Sequence, residues 1–320
     1  MKLILSIDIA ADIEPHLSSN VKVVQVNSDG DFDGDVSGAE VLYLSWPFLK
    51  NHILDNILSK VPTLRWHHTT SAGVEHILTK YLVDIYLERD IILTNGAGLH
   101  AIPIAEFVIA YMLSHAKHLP ELHTLQAQRQ WKRGFDIEEL TDTTLLIIGA
   151  GGIGQEIAAR AKPFGIKVLG SRRHPQPLPN FDLVVGASEW RHLLPKADYV
   201  VIATPLTTET KGLIDEAALR LLSPHAYLIN IARGAVIDEN TLVKALRERW
   251  FAGAALDTTT IEPLPADSPL WSLDNVFLTP HCTAHSPKLN QRSVKLFIDN
   301  LTRFQVRLPL RNIVDRQAGY

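Results

Sequence analysis

Short apolar runs alternate with polar, helix-compatible stretches over residues 1–99. The runs at 3–7, 21–26, 41–44, 64–67 and 91–94 predict strands, and 48–59 and 73–82 predict helices between them. That alternation marks an α/β unit with a largely parallel sheet. Residues 102–119 then make one long helical stretch, with Pro103 in its first turn, where a missing backbone N–H costs nothing. This stretch is expected to carry the chain into a second α/β series. Its strands are predicted at 144–148, 167–170, 183–185, 199–203, 226–230, 253–256 and 276–279, and its helices at 155–162, 189–194, 215–222 and 239–248. The run at 183–185 is the weakest of these and stands beyond the usual six-stranded doubly wound set. After Pro280 a last helix is predicted at about 288–303. No tandem repeat is visible.

Composition narrows the setting. A chain of 320 residues suits two domains better than one, and a hydrophobic content of 46% supports well-buried cores. A formal charge of -4 gives no general basic field for nucleic acid or an anionic membrane. The single cysteine, Cys282, leaves no intrachain disulfide framework and fits a reducing, cytoplasmic setting. The run from Met1 meets Asp8 at once, so it reads as a first strand rather than a signal peptide. No apolar stretch reaches the roughly 18 residues of a membrane span.

Candidate chemistry begins after the strand at 144–148. Gly149, Gly151 and Gly154 form the pattern G-x-G-x-x-G, with Gly152 and Ile153 inside it, between an apolar strand and a helix. In that context the first glycine permits a tight turn and the second clears space for a pyrophosphate over the helix amino terminus. The third lets helix and strand pack closely. A dinucleotide site is expected. The strand at 167–170 leads into Ser171-Arg172-Arg173, where an acid would receive the ribose hydroxyls of NAD. Two guanidiniums and a hydroxyl suit a 2′-phosphate instead, which favours NADP(H) over NAD(H). Thr204, Pro205 and Thr210 follow a strand and offer small or polar groups to a dinucleotide, as do Ile231 and Ala232 before Arg233.

Three later residues supply the chemistry of a hydride transfer. Asp257 ends one strand, Glu262 lies in the loop after it, and His281 ends the next strand. Carboxyl ends of neighbouring parallel strands converge on one crevice. Reduction of a ketone needs a proton donor for the developing alkoxide, a role that suits His281. Glu262 is placed to hold the imidazole in one tautomer. Arg233 can clamp a substrate carboxylate and polarise its ketone.

These residues, with their surroundings, resemble the D-isomer-specific 2-hydroxyacid dehydrogenase family. The likeness rests on Leu145-Leu-Ile-Ile-Gly-Ala-Gly-Gly-Ile-Gly154, Asn230-Ile-Ala-Arg-Gly-Ala-Val-Ile-Asp238, Ala254-Ala-Leu-Asp257, Glu262-Pro-Leu-Pro265 and Leu278-Thr-Pro-His281. Thr69-Thr-Ser-Ala-Gly-Val-Glu75, Asn95-Gly-Ala-Gly-Leu-His100 and Ile104-Ala-Glu106 extend it over essentially the whole chain. The resemblance implies two Rossmann-like doubly wound parallel-sheet domains, with the cofactor domain, residues 100–284, inserted into a catalytic domain of 1–99 plus 285–320. It implies His281 as acid/base, Glu262 as its partner and Arg233 as the carboxylate and carbonyl ligand. It places Asp257 at the nicotinamide carboxamide and the Ala72 and Gly73 amides on the substrate carboxylate. A homodimer joined through cofactor domains and linking helices is also implied. Three departures stand out. Arg172 stands where the family often has an acid; Thr258-Thr-Thr-Ile261 replaces a more usual Val-Phe-Glu; and Cys282-Thr-Ala-His285 replaces Ile-Ala-Gly or Ile-Ser-Gly.

The expected activity is hydride exchange between NADP(H) and a 2-oxo acid or D-2-hydroxy acid, in the reductive direction and of the glyoxylate/hydroxypyruvate reductase type. Trp46, Phe48, Leu99, His100 and Trp131 are candidates to approach the substrate side chain, and His285 is a candidate polar contact. The aromatic and aliphatic members favour an apolar substituent over a second carboxylate. The competing reading is a dinucleotide-sensing scaffold or corepressor with little turnover. Metal-assisted hydrolysis is prompted by His281, His285, His67 and His68, but no third ligand accompanies either pair, so no metal is expected.

Overall fold

The computed structural model of the chain describes residues 1–74 and 77–315, and of Asn51 the backbone alone. The chain divides into two α/β units, one made of Met1–His100 with Ser286–Tyr320, the other of Ala101–His285.

The first unit runs β1 (Lys2–Ser6), α1 (Ile7–Ile13), β2 (Lys22–Val26), β3 (Val41–Leu44), α2 (Asn51–Lys60), β4 (Trp66–Thr69), α3 (Lys80–Glu88) and β5 (Ile92–Thr94). Its strands form one parallel sheet of order β2-β1-β3-β4-β5. β3 and β4 are buried along their whole length because both faces of the sheet are covered. Ile53, Leu54, Ile57 and Leu82 pack on one face, and Ile9, Ile13 and Leu301 on the other.

Two expectations fail here. Ile7, expected to end the first strand, opens α1, which buries Ile9, Ala10 and Ile13 at helical spacing. The helix expected at 73–82 begins only at Lys80. Thr79 sets that start, since its hydroxyl accepts the Leu82 N–H at 3.4 Å and caps the first turn. Glu75 and His76, within the expected range, lie outside the described residues.

The second unit contains α4 (Ala101–Ala116), α5 (Leu119–Ala127), β6 (Thr144–Ile148), α6 (Gly152–Ala161), β7 (Lys167–Arg172), β8 (Leu183–Gly186) and β9 (Tyr199–Ile202). It continues through α7 (Glu216–Arg220), β10 (Tyr227–Asn230), α8 (Glu239–Arg247), β11 (Gly253–Leu256) and β12 (Val276–Leu278). Its parallel sheet has the order β12-β11-β10-β9-β6-β7-β8, so the weak run at 183–185 is a real edge strand. The helix expected at 189–194 is a 3-10 turn, Trp190–Lys196, with Pro195 inside it. α5 was not anticipated; none of its residues is buried, so it carries no apolar stripe to read. Val108 and Met112 of α4 pack with Ile157 and Ala158 of α6 on one face. Trp190, Leu219, Leu246 and Phe251 fill the other.

The chain closes with α9 (Leu289–Gln305), part of the first unit. Its Phe297 stacks on Tyr43 at 4.4 Å and on Trp66 at 5.3 Å between ring centroids. Each sheet reverses direction once, between β1 and β3 and between β6 and β9. Such reversals leave a crevice at the carboxyl ends of the strands, the usual ligand position in open α/β sheets.

Candidate active site

The glycine-rich turn sits at the reversal between β6 and β9. Gly149 has φ +109°, and a Cβ there would lie 2.6 Å from the Ala203 carbonyl carbon, so both conformation and contact demand glycine. A Cβ on Gly154 would lie 2.5 Å from the Gly149 oxygen, which explains the close seat of helix on strand. Gly151 and Gly152 differ: a Cβ on either would meet nothing within 4 Å. Gly151 is the N-cap of α6 and provides no side-chain cap, so no side chain of the cap residue takes up the first-turn N–H groups beside that open space. Those donors and that clearance fit a pyrophosphate.

The turns around this opening are braced from within. Thr210 accepts the Thr207 N–H at 2.7 Å and donates to the Pro205 carbonyl at 2.6 Å, closing the 204–210 loop on itself. Ile231 and Ala232 are buried, and Asn230 holds their turn by accepting the Ala232 N–H and donating to the Arg233 carbonyl. Ser171 is buried; its carbonyl accepts the N–H groups of Gly149 and Ala150. Arg172 is half-buried, and exposed Arg173 reaches the Glu209 carboxylate at 3.0 Å.

His281, Glu262 and Arg233 all belong to this unit. His281 Nδ1 lies 2.7 Å from Glu262 Oε2, and both side chains are partly exposed. The other Glu262 oxygen accepts the Thr259 N–H at 3.1 Å, so the carboxylate is aimed by its own loop. Thr260 N–H donates to Glu239 Oε2 at 2.7 Å, tying that loop to α8. Arg233 stands in extended backbone just before a 3-10 turn, and its guanidinium donates to the Ala232 carbonyl at 2.9 Å. A Cβ on Gly234 would lie 2.0 Å from the Thr259 carbonyl carbon, so the Arg233 turn and the Glu262 loop pack backbone to backbone. Reading the sequence missed Gly234, Thr259 and Glu239; only the Arg-Gly pair carried a local sign of close approach.

Asp257 is buried, and the loop carrying His281 wraps around it. Its carboxylate accepts Thr279 Oγ1 at 2.7 Å, the Cys282 N–H at 3.0 Å and Thr283 Oγ1 at 2.6 Å. Burial and the Asp257 charge push the Cys282 thiol above its ordinary range, which keeps it protonated.

The remaining predicted residues lie in the first unit or outside any braced turn. Ala72 is exposed and Gly73 half-buried; Asn95 Nδ2 donates to the Ala72 carbonyl at 2.8 Å and Ser71 Oγ to the Gly73 carbonyl at 2.6 Å. Trp46 is 62% exposed, whereas Phe48 and Leu99 are buried. Trp131 is 90% exposed and His285 is exposed. His67 and His68 direct Nδ1 to Tyr86 Oη at 2.5 Å and Thr94 Oγ1 at 2.8 Å. Among the described residues, no three His, Cys, Asp or Glu side chains gather as a metal set. No helix of the described residues is long and apolar enough to cross a membrane.

Comparison with known proteins bears out the family resemblance and the fold. Residues 109–283 match a family model described as the D-isomer specific 2-hydroxyacid dehydrogenase, NAD binding domain. A glyoxylate reductase of Thermofilum pendens is 36% identical over 79% of this chain and 75% of its own length. A D-isomer specific 2-hydroxyacid dehydrogenase family protein from Aeromonas salmonicida superposes with a TM-score of 0.83 at 32% identity, covering 98% of this chain and 99% of that one. A D-isomer specific 2-hydroxyacid dehydrogenase from Xanthobacter autotrophicus, solved with NADPH, gives 0.86 at 28% identity over 100% and 99%.

Proposed function

Because the chain belongs to the D-isomer specific 2-hydroxyacid dehydrogenase family and is therefore a nicotinamide-dinucleotide oxidoreductase, we propose that it reduces small 2-oxo acids with NADPH. One observation carries this reading: the His281–Glu262 pair at 2.7 Å shares a unit with the open glycine turn. When bound, the dinucleotide supplies the hydride. Proton and charge are left to side chains. Glu262 engages Nδ1 of His281, which leaves Nε2 to give the alcohol its proton and to take it back in oxidation. Arg233 offers a guanidinium fork to the substrate carboxylate and steadies the developing alkoxide. The Ala72 and Gly73 amides are further donors for that carboxylate on the family resemblance.

Arg172 and Arg173 support NADPH, because one ends β7 and the other follows it, where an acid would select NAD. Arg173 is ion-paired with Glu209 at 3.0 Å, so a 2′-phosphate would take the place of that carboxylate on it. The Xanthobacter relative, solved with NADPH, supports the same preference, and the Thermofilum relative supports glyoxylate as the substrate type. A homodimer is proposed on the same family ground.

The test is a panel of glyoxylate, hydroxypyruvate, pyruvate, phenylpyruvate and branched-chain 2-oxo acids, each assayed with NADPH and NADH. The highest kcat/KM is expected with NADPH and glyoxylate or hydroxypyruvate. Turnover of none of them, or equal efficiency with NADH, overturns the proposal. In the same assay Arg172→Asp is expected to lower the NADPH-to-NADH ratio by roughly 10- to 100-fold. An unchanged ratio removes Arg172 from the ribose pocket.

A further inference from the structure

We propose that Thr283, supported by the Tyr111–Thr279 hydroxyl pair, is a positioning residue that fixes His281 for proton transfer by clamping its loop onto Asp257. The inference rests on the acid/base reading of His281 given above. It starts from the backbone of His281, whose φ of +50° is unusual for a residue with a side chain. Such a conformation persists only where its surroundings over-determine it. Here the His281 N–H donates to the Asp257 and Thr279 carbonyls at 2.9 and 3.0 Å, which holds the peptide itself. The chain on either side of it is held by the Asp257 carboxylate.

That carboxylate can only accept, so the direction of each bond follows. Thr279, two residues before His281, donates its hydroxyl to Oδ1 at 2.7 Å. Its single proton being used, the 2.6 Å contact with Tyr111 Oη must run from tyrosine to threonine. Thr283, two residues after His281, donates its hydroxyl to Oδ2 at 2.6 Å, and the Cys282 N–H reaches Oδ1 at 3.0 Å. Asp257 and Thr283 are 3% and 1% exposed, so water cannot replace a lost donor cheaply. The histidine ring is thus carried on a loop pinned at both ends to one buried anion, while Glu262 aims the ring from outside. Proton transfer is sensitive to displacement of this kind, with misplacement by about 1 Å costing up to about 100-fold.

The position gives the inference its independence. Thr283 stands in the Cys282-Thr-Ala-His285 segment that departs from the Ile-Ala-Gly or Ile-Ser-Gly of the family pattern, and Tyr111 lies on α4 outside the Ile104-Ala-Glu106 match. Removing the Thr283 hydroxyl takes away the shortest bond to Oδ2 and leaves the longer Thr283 N–H contacts, at 3.3 and 3.4 Å, with the Cys282 N–H to hold this side of the loop less tightly. The expected damage is to the chemical step, not to dinucleotide binding.

Thr283→Val keeps shape and removes the hydroxyl; Thr283→Ser restores it. With NADPH and the best 2-oxo acid, kcat of Thr283→Val is expected to fall roughly 10- to 100-fold while the Kd for NADPH, read by fluorescence titration, stays within about 3-fold. Thr283→Ser is expected to recover most of the loss, and Tyr111→Phe to lose less than Thr283→Val. Wild-type kcat in Thr283→Val, or equal losses in the valine and serine variants, overturns the proposal. Should the valine variant fail to fold, wild-type kcat in Tyr111→Phe overturns the supporting pair, and a serine variant as slow as Thr283→Ala overturns the clamp. His281→Ala run alongside separates the two levels: full activity there overturns the acid/base reading, whereas its loss beside a normal Thr283→Val overturns this inference alone.

Discussion

The two sheets reverse direction in the same way, yet the turns at their reversals are built from opposite materials. After β6 the chain passes Gly149-Ala-Gly-Gly-Ile-Gly154, with an uncapped helix amino terminus over open space. After β1 it enters α1 directly at Ile7 with no glycine, and Asp8 occupies the first turn. Ser6 accepts the Ser45 N–H there, and Ser45 Oγ donates to Asp8 at 2.5 Å, so these polar groups are spent on one another. An acid at a helix amino terminus also disfavours a second anion. The histidines repeat the contrast. His281 in the second unit is partly exposed and faces a carboxylate, whereas His68 in the first is fully buried among Tyr43, Trp66 and Phe297. One architecture thus carries an open glycine turn in one unit and, in the other, a turn closed by its own polar groups. Site chemistry, not fold, separates them.

The strongest way to break this contrast is at its two histidines. His281→Ala is expected to lower kcat by about 100- to 10,000-fold with NADPH binding kept, measured by steady-state kinetics and titration. Turnover within 10-fold of wild type would take the chemistry away from this residue. The next largest effect comes from making one turn resemble the other. Gly152→Asp puts an acid in the first turn of α6, where its side chain has room, and is expected to weaken dinucleotide binding at least about 10-fold with little change in Tm. Unchanged Kd would show that the α6 terminus does not receive the pyrophosphate.

The smallest effect sharpens the comparison from the buried side. Burial lowers the pKa of His68 to about 3, against about 6.5 for an unperturbed imidazole. The unfolded chain therefore takes up the proton first. Its contribution is complete above about pH 6.5 and is lost progressively as pH falls towards about 3, by up to about 1.4 kcal/mol per pH unit. His68→Phe is expected to flatten the fall in unfolding free energy between pH 7 and pH 5 by about 2 kcal/mol in denaturant titrations. Parallel profiles for variant and wild type would show that His68 titrates normally.

Legibility in the sequence followed the range of the forces involved. Most strands were readable because both faces of each sheet are covered, which makes them apolar at consecutive positions. α1 and α5 were not: one is seven residues long, and the other buries nothing. Gly149, Arg233, Glu262 and His281 could be named because their residue types, spacing and family likeness all appear along the chain. The partners that aim them could not. Thr259, Tyr111 and Thr283 are ordinary residues in sequence, and their roles arise only when distant segments meet, as in the bond between Tyr111 and Thr279.

The contact at Gly234 has a consequence for how such an enzyme can diversify. Since the Arg233 turn and the 258–262 loop share a backbone joint with no room for a side chain, lengthening or reshaping either one disturbs both. Arg233 and Glu262, the proposed carboxylate clamp and imidazole partner, are thus carried on one joined piece of backbone. A change of length or backbone path at the joint therefore falls on both segments at once, whereas side-chain changes such as the Thr258-Thr-Thr-Ile261 departure leave it in place.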